Sequence, residues 1–165
     1  MLRRLVLILI LLTVPVTAMA EDVPAKARCA VCGMFVAKHP HFVCEIKADG
    51  KIRYFDGAKD MFVFYFNPTA FGGKADDKKG EILVKDYYHQ EMVDGRRAFY
   101  VIGSDILGPM GYELIPFKSR EAAENFKADH KGKKVLTFVQ VTAGLVESMR
   151  KGMKMMDHHG MKMKK

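Results

Sequence analysis

The sequence predicts an α+β fold: two ββαβ units packed as one compact body, with a flexible C-terminal tail. Three observations carry that expectation. Asp49-Gly50 separates two strand-like runs at 41–48 and 51–55, and an Asp-Gly pair marks a tight hairpin because glycine tolerates positive φ. Apolar residues then recur at Ala58, Met61, Phe62 and Tyr65, the spacing of one helix face. Finally, the order strand, strand, helix, strand returns between 97 and 141. Identity between the halves is slight, so the likeness is one of pattern.

The elements follow in order. Residues 1–20 carry Arg3 and Arg4, an apolar stretch from Leu5 to Val16, and Ala18-Met19-Ala20. This is the layout of a cleaved secretory signal, too short and wrongly flanked for a spanning helix. The first unit, 21–92, contains the hairpin and a helix over 57–66 capped by Asp56, which Asn67-Pro68 ends. A polar, flexible connection at 72–80 leads to a strand at 81–89. The second unit, 93–150, has strands at 97–103 and 112–117 around the turn "GPMG" at 108–111. Ser119 caps a helix over 120–130, and 134–141 closes the unit as a strand. The tail, 151–165, reads "KGMKMMDHHGMKMKK" and lacks the apolar stripe of a core helix.

Removing the leader leaves 145 residues, one domain's worth, and lowers the net charge from +8 to +6. A basic exported chain suits acidic surfaces or lipid head groups, so peripheral membrane contact is open. No basic-aromatic motif argues for nucleic acid. The serine triad, phosphate loop and HExxH patterns are missing, which argues against the enzyme classes they mark.

All three cysteines, Cys29, Cys32 and Cys44, lie beyond the leader. An odd number in an oxidising compartment leaves one thiol outside any purely structural framework. A Cys29–Cys32 bridge would close a very short loop of little entropic value, so the "CAVCGM" motif at 29–34 points to chemistry. Thiolates and thioethers are soft donors that suit copper(I), and Met34 beside Cys32 favours copper(I) over zinc(II). Gly33 allows the turn that lets Met34 face the same space. Zinc(II) stands as the alternative cargo, with His39, His41 or Cys44 completing a shell. A thioredoxin-like dithiol is a further alternative, though no strand precedes Cys29. Met110 joins the candidates if the halves share a crevice; otherwise it is a turn methionine on the core. His39 and His41 are solvated loop histidines or extra ligands. Cys44, within a strand, reads as a buried thiol. Asp56 and Asp60 stand one helical turn apart, and capping plus first-turn charge explains them more simply than acid-base work or a hard metal. In the tail, Met153, Met155, Met156, His158, His159, Met161 and Met163 form an adaptable ligand set or a solvated extension.

The segments "CAVCGMFVAKHP", "YFDGAKDMFVFYF", "AFYVIGSDILGPMGYELIPF" and "GKKVLTFVQV" together resemble the NosL family, over about 29–141. The resemblance implies a periplasmic copper(I)-binding protein of two ββαβ units with no catalytic turnover. Its role would be delivery of copper to nitrous oxide reductase, in concert with an ABC-type maturation complex. It implies a sulfur-ligand motif on Cys32 and Met34, with Cys29 preceding, and a second-unit ligand at Met110. Many members carry a lipid-attachment cysteine at the cleavage point; this chain has Ala-Met-Ala there, so a lipid anchor is not indicated. The competing functions are a thiol-disulfide oxidoreductase on Cys29 and Cys32, and a module whose tail sequesters metal.

Overall fold

The computed structural model describes residues 23–162, with side chains as far as Gly152. Two antiparallel sheets and three helices form the body. The first sheet has the order β2-β1-β3-β4, from β1 (Cys44–Ala48), β2 (Lys51–Phe55), β3 (Glu81–Lys85) and β4 (Met92–Asp94). The second has the order β6-β5-β7, from β5 (Phe99–Ile102), β6 (Leu114–Phe117) and β7 (Lys134–Thr137). Helix α1 (Ala58–Phe66) follows β2, and α2 (Arg120–Asp129) follows β6, so each half runs strand, strand, helix, strand.

Local chemistry explains the hairpins and caps. Asp49 and Gly50 take φ of 49° and 69°, the double left-handed turn that matches the twist of paired strands. This turn sets Cys44 opposite Phe55 and Ala48 opposite Lys51. The Ser119 hydroxyl accepts from the Ala122 amide at 3.1 Å and caps α2 as expected.

The helices decide how the halves join. Met61, Phe62 and Phe64 of α1 are fully buried. The Phe62 ring meets Tyr100 of β5 at 5.2 Å and Phe138, just past β7, at 5.0 Å. One core therefore contains α1, the first sheet and part of the second unit. A second cluster, Val101, Ile115, Phe117, Ala123 and Phe126, seals α2 against its own sheet. Burial of this many aromatic rings is the main favourable term in holding the halves as one body.

Several features differ from the sequence expectation. Strand β4 pairs with β3 and straddles the expected unit boundary at 92/93. Its three residues are too few for a periodicity to show. The segment 72–80 contains a 3-10 turn, Ala75–Lys79, organised by buried Asp77, whose carboxylate accepts from the Lys74 amide and from Arg53 Nε, each at 3.0 Å. Its polar composition conceals one carboxylate with a distant partner. Helix α3 (Ala143–Lys162) is not predicted by the sequence; it packs Val146 and Met149 on the core, and its backbone continues helical into the expected tail. Among the described residues, no helix is long and apolar enough to cross a membrane.

Candidate metal centre

The site is built where the 29–34 loop lies against the joint between β2 and α1. The loop closes on itself: the Cys29 amide donates to the Met34 carbonyl at 2.8 Å, and the Gly33 amide to the Cys29 carbonyl at 3.0 Å. Gly33 has φ of 78° with open space around it, so the backbone conformation, not crowding, requires glycine. The loop is fastened to β2 by the Ala30 amide, which donates to the Tyr54 carbonyl at 3.0 Å. Two residues after Tyr54 comes Asp56, and one helical turn later Asp60.

This placement points both thiols at carboxylates. Cys29 Sγ donates to Asp60 Oδ2 at 3.4 Å, and Cys32 Sγ to Asp56 Oδ2 at 3.3 Å. One ligand atom from each of Cys29, Cys32, Asp56 and Asp60 lies within 4.8 Å of the other three. Cys29, Asp56 and Asp60 are buried, while Cys32 is half-buried and forms the face nearest solvent.

The electrostatics follow from that enclosure. Burial, then the neighbouring Asp56 charge, raises the Asp60 carboxyl above its usual range. Burial pushes the Cys32 thiol up to about 12, with Asp56 and Asp60 adding to the rise against hydrogen bonds that lower it. Cys29, more deeply buried, is pushed up further. Without a cation both thiols therefore stay protonated. Disulfide exchange needs the opposite, a thiol with a lowered pKa. A cation entering here displaces the thiol protons, so its hold strengthens as pH rises.

The sequence assigns Asp56 to capping α1, and the structure overturns that. Gly57 is the N-cap residue and has no side chain to cap with. The acceptor comes from the other unit: Glu113, just before β6, takes the Lys59 amide and also the Leu114 amide at 2.9 Å. A Cβ at Gly57 would collide with this carboxylate. Burial pushes Glu113 up to about 8, against the lowering effect of Lys59 and the two amides. Because Glu113 serves the helix end, the Asp56 carboxylate is available to the Cys32 thiol. Asp60 does sit in the first turn, but its Oδ2 is turned to Cys29.

Lys59 ties the second unit's turn to the same place. Its fully buried ammonium donates to the Met110 carbonyl at 2.6 Å and the Tyr112 carbonyl at 2.7 Å. The 108–111 turn is closed by reciprocal bonds between Gly108 and Gly111. A cavity of about 600 Å³ opens beside it, with Leu107, Tyr112, Lys133 and Met149 in its wall. The thiol-carboxylate cluster is not part of that wall.

The predicted residues divide accordingly. Cys29 and Cys32 come together, Met34 is joined to Cys29 through its backbone, and Met110 is anchored by its carbonyl to the Lys59 ammonium. His39 ends a 3-10 turn, and exposed His41 places Nδ1 2.8 Å from Gln90 Oε1; neither belongs to the cluster. Cys44 is fully buried in β1 and donates weakly to the Phe42 carbonyl at 3.5 Å. The tail candidates Met153, Met155, Met156, His158, His159, Met161 and Met163 lie outside the described side chains. Asp56 and Asp60 are the cluster members that sequence reasoning assigned elsewhere. Their four-residue spacing inside a run of buried apolar residues was the available signal.

The NosL family model matches residues 20–146. A similar fold is found in the crystal structure of the copper chaperone NosL from Shewanella denitrificans. The two share a TM-score of 0.63 and 25% identity, over 76% of this chain and 96% of that one. No curated protein sequence matches the chain.

Proposed function

The chain belongs to the NosL family, and from that premise we propose that it is a copper-binding chaperone, a carrier without catalytic turnover. The cargo is copper(I), taken up by Cys29 and Cys32 with Met34 and Met110 as thioether ligands. The observation that supports this reading is a shared anchor. A loop bearing two thiols and a turn bearing a methionine, from opposite halves of the chain, are both fastened to the first turn of α1. Thiolates offset the ion's charge, and weaker thioether bonds leave it exchangeable. Partial exposure of Cys32 supplies the side from which a recipient's ligands can enter.

The leader assigns the carrier to the periplasm, and its positive charge suits work close to an acidic membrane surface. The recipient is nitrous oxide reductase, served together with an ABC-type maturation complex. Anaerobic copper(I) titration followed by X-ray absorption tests the chemistry. The expected shell is dominated by sulfur, and a shell of nitrogen and oxygen alone rules the mechanism out. For the recipient, the copper-loaded carrier is mixed with copper-free nitrous oxide reductase. Metal should move to the reductase, and copper remaining wholly on the carrier removes that assignment.

A further inference from the structure

The copper(I) reading uses the sulfur atoms and leaves two buried carboxylates without a role toward a metal. Copper(I) has little use for carboxylate oxygen, whereas zinc(II) and similar borderline ions bind thiolate and carboxylate together. We propose that Cys29, Cys32, Asp56 and Asp60 form a four-donor site for one divalent ion of the zinc class, distinct in donor set from the shell that holds copper(I).

The spacing supports it. Bonds of about 2.3 Å to sulfur and about 2.1 Å to oxygen in a tetrahedron put neighbouring sulfur and oxygen donors roughly 3.6 Å apart. The two sulfur–oxygen pairs already stand at 3.4 and 3.3 Å. The widest separation among the four donors is within 4.8 Å, so closing the shell takes about 1 Å of side-chain movement. The donors are also held in place. Cys29 and Cys32 sit on a loop closed by backbone bonds, and Asp56 and Asp60 on the β2–α1 joint that Glu113 caps. Charge points the same way. Two thiols and two carboxylates share one spot, and once metal binding has displaced their protons a dication offsets more of the resulting charge than a monocation does. The site thus takes zinc-class ions through all four residues and copper(I) through its sulfur atoms.

The test uses the full chain, reduced and metal-free, under anaerobic conditions. Cobalt(II) is added as a spectroscopic probe and then displaced with zinc(II). The expected result is one equivalent of cobalt with the intense ligand-field bands of a tetrahedral site and a thiolate-to-cobalt charge-transfer band. One equivalent of zinc should erase both. X-ray absorption at the zinc edge should show two sulfur and two oxygen neighbours. The Asp56→Asn/Asp60→Asn double variant should bind zinc more than about 100-fold more weakly, beyond the usual 10–100-fold effect of a residue outside the ligand shell. A zinc shell of nitrogen and oxygen without sulfur overturns the proposal, because it places the ion on histidines elsewhere. So does a zinc affinity unchanged in the double variant. If that variant does not fold, the wild-type zinc-edge shell decides. This inference stands apart from the copper reading: protein that takes zinc in this shell but refuses copper(I) sinks the chaperone and keeps the site, and the converse does the reverse.

Discussion

Replacing Glu113 is expected to weaken the whole molecule and to change how its stability responds to pH. Glu113→Ala removes the acceptor for the Lys59 and Leu114 amides. Leaving two buried amides without their acceptor costs about 1–3 kcal/mol each, together a large share of the ~5–15 kcal/mol that holds a domain folded. Glu113→Gln keeps an acceptor oxygen and costs less, about 1–2 kcal/mol near pH 5. The pH response separates the two effects. The folded pKa of Glu113 is raised, to about 8 from 4.5, so the native state holds this proton more tightly than the unfolded chain. The stability it contributes is full below pH 4.5 and is lost as pH rises through 8. At ~1.4 kcal/mol per pH unit the loss reaches about 5 kcal/mol. Glutamine cannot titrate, so Glu113→Gln, about 1–2 kcal/mol below the wild type near pH 5, should overtake it between about pH 6 and pH 7. The chain has no tryptophan, so urea melts at pH 5, 7 and 9 are followed by far-ultraviolet circular dichroism. Parallel pH curves for wild type and Glu113→Gln would refute the titration. A loss under about 1 kcal/mol in Glu113→Ala would refute the trans-cap.

Other perturbations give separable outcomes. Phe62→Ala removes the ring that bridges α1 to Tyr100 and Phe138 and should cost about 3–5 kcal/mol in denaturant melts. Asp77→Ala strips buried acceptors from Arg53 and Lys74, and a cost of about 2–3 kcal/mol is expected by the same measurement. Cys44→Ala should leave the copper stoichiometry at its wild-type value, because this thiol faces the β1 core; a lost equivalent would contradict that placement. Oxidised protein, with Cys29 joined to Cys32, should take up less copper(I) than reduced protein, and equal uptake would show that these thiols are not the ligands.

Much of the frame was legible because its signals are local. Asp49-Gly50 dictates its turn through the φ values of two residues, and Ser119 caps α2 through an amide three positions away. Alternation and helical spacing placed β2, α1 and α2 nearly to the residue. Short β4 and the partly packed α3 carry no comparable pattern, since tertiary contacts rather than periodicity hold them.

The candidate site divides along the same line. From sequence alone come the paired cysteines, the glycine that turns the loop, the methionine beside it, and the resemblance that associates them with copper. Tertiary structure alone decided which carboxylates face those thiols. Asp56 has the sequence position of a cap, but Glu113, 54 residues beyond Lys59, takes the helix amide instead. A helix end needs an acceptor and is indifferent to its address in the chain. A carboxylate's role is set by what folding buries beside it, and for Asp56 and Asp60 that is a pair of sulfur atoms.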